Sequence, residues 1–145
     1  MTATFAPSER PLASQPASGS KAMKRTGWVL SGLVLLFLLF DAFGKLILMP
    51  QVIEATQQIG YPEDLLRPLG IIILLCAALY AIPRTAVLGA ILLTGFLGGA
   101  VASHLRLEDP LFTHVLFGVY VGVLAWGGLY LRDERLRALI PLRRA

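Results

Sequence analysis

The sequence predicts an all-α integral membrane protein, a bundle of four spanning helices with both chain ends on one side. Three observations carry that class. Four apolar stretches, at residues 27–49, 69–82, 85–103 and 111–131, fill most of the chain after residue 26. Of the 145 residues 56% are hydrophobic and 15% charged, where soluble domains carry about 25% charged residues. Lysine and arginine gather at alternate joints, the pattern that orients spanning helices.

Residues 1–25 are rich in Ser, Ala, Pro and Thr without an apolar period, and read as a disordered tail ahead of a transmembrane domain over 26–132. Lys21, Lys24 and Arg25 directly precede the first apolar stretch, as in a signal peptide. The run that follows is too long for a signal core and contains Asp41, so it reads as an uncleaved first spanning helix. A crossing needs about 20 apolar residues. The second stretch falls short unless Leu65, Leu66 and Pro68 join it, Pro68 suiting a first turn where its missing N–H costs nothing. A buried or re-entrant half-helix is the other reading of that segment.

Pro50 to Arg67 is the one substantial loop. Within it Val52, Ile53, Ala55, Thr56 and Ile59 are spaced for a short amphipathic helix in the first outer loop, closed by Gly60, Tyr61 and Pro62. Such a helix caps the bundle at the interface. Ile82, Pro83 and Arg84 make a tight turn, because Pro-Arg does not continue a straight helix. Residues 106–110 make a short turn on the other side. Residues 133–145 form a basic amphipathic tail that rests on an anionic membrane surface.

Charge sets the orientation. With the N-terminus inside, ten of the 13 basic residues are cytoplasmic, and only Lys45, Arg67 and Arg106 are outside. Both termini are therefore expected in the cytoplasm. The net charge of +4 belongs to this asymmetry and points to no nucleic acid. Cys76, the only cysteine, excludes an intrachain disulfide or a thiol-redox pair.

Several polar residues stand where lipid should exclude them. Asp41 and Lys45 are four apart on one helix face, Asp41 ~21 Å along the helix from Gly27. A lone carboxylate there costs ~3 kcal/mol, which pairing with Lys45 offsets. The pair is either a structural lock or a ligand-facing charge pair. His104, Arg106 and His114 are expected at the same depth, so that five ionisable side chains form one polar pocket. Two histidines can ligate haem or a metal, but no third ligand follows from the spacing. A quinone or lipid head group is the alternative occupant, and so is water.

Gly95, Gly98 and Gly99 on the third stretch, with Gly118 and Gly122 on the fourth, have the spacing that lets helices approach closely. Intramolecular packing accounts for them, and a homodimer face is the sharper alternative. No phosphate loop, zinc-protease motif, hydrolase triad or dinucleotide fingerprint is present, so the chain does not read as an enzyme on its own.

Lys45, the Gly60-Tyr61-Pro62 loop, the Pro83-Arg84 turn, the run over residues 88–106, Trp126 and Leu131-Arg132 together resemble the DoxX-like family of small bacterial membrane proteins. The resemblance covers residues 27–142. It implies a four-helix bundle in the bacterial cytoplasmic membrane, related to a membrane subunit of a thiosulfate:quinone oxidoreductase and to proteins of redox stress. The positions it carries over are Lys45, Gly98, Gly99, His104 and Arg106, whereas Asp41 and His114 lie outside it. The leading expectation is a quinone-associated subunit of a membrane redox complex, working with another membrane or soluble redox subunit. The rivals are a small-molecule transporter or binder, and a purely structural partner subunit.

Overall fold

A computed structural model describes residues 18–139, which hold helices and turns only. The helices are α1 (Ser18–Leu46), α2 (Pro50–Gln58), α3 (Leu66–Ala81), α4 (Ala86–Arg106), α5 (Phe117–Arg132) and α6 (Glu134–Leu139). Four segments are long and apolar enough to cross a membrane: Lys21–Leu46, Glu63–Ala81, Ala86–Arg106 and Leu111–Arg132. The second stretch thus reaches crossing length, because a 3₁₀ turn at Glu63–Leu65 runs directly into α3. Large apolar side chains such as Leu36, Phe40 and Val123 face outwards around the bundle. Water would not tolerate so continuous an apolar surface, and lipid requires it.

The described residues ahead of residue 26 already belong to the first helix, so its basic lead-in is helical. Most of the tail expected over 1–25, and residues 140–145 of the tail expected at the other end, lie outside the described residues. After α1 the chain reverses through Leu48, at positive φ, and Pro50 opens the expected amphipathic α2. Gly60, at φ +87°, turns the chain back towards α3, a conformation glycine adopts without a Cβ clash. The α4–α5 joint carries a π-helical turn at Leu111–Val115.

Around the bundle, α1 packs on α3 and α5, and α4 packs on the same two helices, so α1 and α4 stand diagonally. One end of this ring is tightly closed around Tyr80 of α3, which is fully buried. Its hydroxyl donates to the Ala125 carbonyl of α5 at 2.7 Å and lies 3.0 Å from Ser31 Oγ of α1. With the phenolic proton engaged, Ser31 is the donor of that second bond. Arg132, at the end of α5, lies over the Trp28 and Tyr80 rings at 4.5 and 4.9 Å, and its Nη2 donates to the Tyr80 carbonyl at 2.8 Å. That bond satisfies a carbonyl which the end of α3 would otherwise leave unpaired. On the remaining side, Gly89 of α4 lies against the Tyr80 backbone, where a Cβ would come within 2.3 Å of the Tyr80 nitrogen.

α6 folds back beside the start of α1. Leu136 is buried, Asp133 accepts the Arg135 backbone N–H at 2.9 Å, and Lys24 pairs with Glu134 at 2.8 Å. The hydrogen bond from Lys24 holds the Glu134 carboxyl below the usual glutamate range. This contact is therefore present above that range and is lost as pH falls through the lowered value.

Close helix approach falls mostly at glycines outside the Gly95–Gly99 and Gly118–Gly122 spacings. A Cβ at Gly27 would come within 2.6 Å of the Arg132 nitrogen, and one at Gly128 within 2.8 Å of Ser31 Oγ. Of the expected set, Gly118 is tight against Val101 and Leu97, and Gly122 is in ordinary contact with Leu97. Gly95, Gly98 and Gly99 face open space among the described residues. Spacing alone does not say which face of a helix meets a neighbour.

The contrast is directly measurable. Gly89→Ala forces a methyl into backbone and is expected to destabilise the bundle by at least the roughly 1–3 kcal/mol of overpacking. Gly98→Ala, entering open space, should leave thermal melting in detergent unchanged or slightly raised.

Candidate functional site

At the α2 end the helices diverge around a cavity of about 340 Å³. Its deeper wall is apolar, built from Phe37, Leu69, Phe96, Leu97 and Phe117. Phe37 and Phe117 meet edge to face, with ring centroids 5.4 Å apart. Its rim is polar, carrying Asp41, Lys45, Thr56, Tyr61, Ser103, His104 and His114. Four of the five expected ionisable residues are therefore brought together. The fifth, Arg106, is absent from the lining.

α1 supplies the first pair. Asp41 and Lys45 sit one turn apart and form an ion pair, their side chains 30% and 14% exposed. α3 presses close at this level: a Cβ at Gly70 would lie 3.1 Å from both the Ala42 carbonyl and Lys45 Cβ. That approach fixes the root of the Lys45 side chain. Burial raises the cost of breaking such a pair, because removing either partner strands the other charge.

The last turn of α4 supplies His104. Its Nδ1 lies 2.7 Å from Asp109 Oδ2, in the turn that follows. A carboxylate oxygen accepts, so Nδ1 donates and Nε2 is left for another partner. The π-helical turn then sets His114 beside it, the two imidazole rings 5.9 Å apart and tilted by 59°. His114 Nδ1 is held 2.8 Å from Thr113 Oγ1. The histidines share the cavity, as expected, but among the described residues no group of three or more His, Cys, Asp or Glu side chains is arranged to hold a metal ion.

A cap closes the rim. Ser103 Oγ donates to the Gly99 carbonyl at 2.9 Å and lies 2.8 Å from the Tyr61 hydroxyl. Its single proton being engaged, Tyr61 is the donor to Ser103. Thr56, buried on the inner face of α2, donates to the Val52 carbonyl at 2.7 Å. Arg106 reaches around the outside and donates to the Ile59 carbonyl at 3.2 Å. Its place is thus in holding the cap, a correction to its expected place in the pocket.

Tyr61, Ser103, Thr56 and Asp109 were not singled out as site residues from the sequence. Tyr61 lies in the Gly60-Tyr61-Pro62 loop and Ser103 in the run over residues 88–106, both of which carry the resemblance, but neither residue is marked by it as part of a site. Gly95 and Gly99, assigned to helix packing, instead line the cavity. The arrangement offers charge and hydrogen bonds to one end of a small molecule and aromatic faces to the rest of it.

A model of the DoxX-like family matches residues 29–128. The matched region contains every residue that lines the cavity, from Phe37 to Gly118. No curated protein and no solved structure matches the chain.

The ion pair predicts a coupled cost. Asp41→Asn and Lys45→Met should each lower thermal stability in detergent, and the double variant should lose less than the sum. A coupling of about 0.5–3 kcal/mol is expected for neighbours in contact. Strict additivity in that cycle is the result that would refute the pairing.

Proposed function

The chain belongs to the DoxX-like family of multi-pass membrane proteins, and from that premise we propose that its cavity binds the head group of a quinone. One observation carries the reading: a polar rim of Lys45, His104, Tyr61 and Ser103 lies directly above an aromatic floor of Phe37, Phe96 and Phe117. A quinone head is a flat apolar ring with two carbonyl acceptors. The ring suits the aromatic faces, a carbonyl is a natural acceptor for the Lys45 ammonium, and the His104 Nε2 lone pair is placed to accept from a quinol hydroxyl. The cavity volume of about 340 Å³ lies at the lower end of the range for small-molecule sites, enough for one ring system.

Reduction of a quinone to a quinol takes two electrons and two protons. In this reading a partner redox subunit supplies the electrons, and the rim residues orient the carbonyl and connect it to water. The chain acts as the quinone-binding membrane subunit rather than as an enzyme on its own. The charge asymmetry of the joints supports a bacterial inner-membrane setting with both termini cytoplasmic, and in that orientation the cavity opens towards the outer side.

The test is a calorimetric titration of the full chain in detergent with a short-tailed ubiquinone analogue. Saturable binding is expected. Lys45→Met should weaken it about tenfold or more, since a hydrogen bond from a charged group contributes roughly 1.5–3 kcal/mol. Gly99→Leu, whose Cβ enters open space in the cavity, should abolish it. Wild-type protein that takes up no quinone rejects the proposal.

A further inference from the structure

A second cleft, of about 350 Å³, lies at the opposite end of the bundle from the cavity. It is walled by Trp28 of α1, Pro83 and Arg84 of the α3–α4 turn, and Arg132, Asp133 and Arg135 at the α5–α6 junction. Three guanidinium groups thus face one opening with a single carboxylate among them. We infer that this cleft binds the phosphate of an anionic phospholipid head group.

Four observations support that occupant. The first is charge. Asp133 is already committed: its Oδ1 accepts the backbone N–H of Arg135 at 2.9 Å and of Leu136 at 3.5 Å. Neither Arg84 nor Arg135 forms an ion pair among the described residues. The cleft therefore has cationic donors in excess of acceptors, and a phosphate diester supplies acceptors that match the guanidinium fork.

The second is an orphaned donor. Arg132 donates through Nη2 to Tyr80, but its Nη1 is buried and has no hydrogen-bond partner among the described residues. Leaving such a group unpaired is costly, and an anion in the cleft beside it lowers that cost.

Depth is the third. The cleft is built where α1 turns apolar, where α3 ends at Ala81, where α4 begins at Ala86 and where α5 ends at Arg132. All four spanning segments reach the head-group layer there. A basic pocket between helices at that level meets lipid phosphates before any soluble anion. The fourth is Trp28, half exposed at the same level, whose amphipathic ring suits the boundary between acyl chain and head group. The reading is independent of what fills the cavity at the α2 end.

The test uses the full chain in detergent, with lipid binding read by native mass spectrometry against phosphatidylglycerol and phosphatidylcholine. Phosphatidylglycerol should be retained at least tenfold better. Arg84→Gln with Arg135→Gln should reduce that retention about thirtyfold, the attraction of two surface charges. Arg67→Gln, which removes the same charge at the far end, should leave it unchanged. Both substituted arginines are exposed, so the fold should survive. Should the double variant melt lower, Arg84→Gln alone, on the turn, should still show a loss of about fivefold. Equal retention of the two lipids, equal losses from Arg67→Gln, or full displacement by millimolar inorganic phosphate overturns the inference.

Discussion

Four helices converge on one phenol. Tyr80 comes from α3, bonds to α1 and α5 through its hydroxyl, and leaves its backbone open to the glycine of α4. In lipid the apolar side chains gain little by leaving the solvent, so helix association depends on close packing and on buried hydrogen bonds. A single residue meeting both conditions fixes the register of the whole ring. Gly89 packs on its backbone, and Gly27 and Gly128 close the α1–α5 seam beside it, each standing where a neighbouring backbone or Ser31 leaves no room for a Cβ. Arg132 completes the node by covering the Tyr80 ring and capping the end of α3.

Tight closure at one end leaves the other end free to open. Beyond the node Gly95 and Gly99 of α4 face space rather than backbone, and that space is the cavity. Its polar rim is tolerable in a membrane only because almost every member is paired: Asp41 with Lys45, His104 with Asp109, Tyr61 with Ser103. Arg106 holds the cap in place from outside through the Ile59 carbonyl. Gly60 makes that contact possible, since a Cβ there would lie 3.0 Å from Arg106 Nη2.

The parts of this design that were legible in sequence follow from one-dimensional signals. Length and apolarity define the four crossings, and the pattern from Val52 to Ile59 defines the helix α2. The i,i+4 rule pairs Asp41 with Lys45, and counting residues from the helix ends brings His104 and His114 to one depth. What was not legible depends on direction in space. Tyr61 and Ser103 meet across 42 residues of chain, with no periodicity to connect them. Arg106 lies two residues beyond His104, so on a helix it projects on a different side and goes to the loop instead of the cavity. The glycine spacing identified two small-residue ridges without showing that one of them faces a void. Nothing in the sequence around Tyr80 announces a buried hydroxyl.

The π-helical turn is where local backbone and site meet. Val115 bonds back to the Pro110 carbonyl and Leu116 to the Leu111 carbonyl, each spanning five residues rather than four. The ladder thus holds one residue more per turn than the α5 helix that follows. One residue is worth roughly 100° of rotation in an α-helix. In a regular helix continued backwards from Phe117, His114 would be turned by that order away from its present direction and away from His104. Such an insertion weakens the backbone ladder, and it is maintained where a side chain must be aimed. Here its effect is to bring a second imidazole to the cavity rim while Phe117 and Gly118, just past it, still face the same space. The irregular turn and the paired histidines are therefore one feature, and it lies on the helix whose far end is anchored by Arg132 to Tyr80.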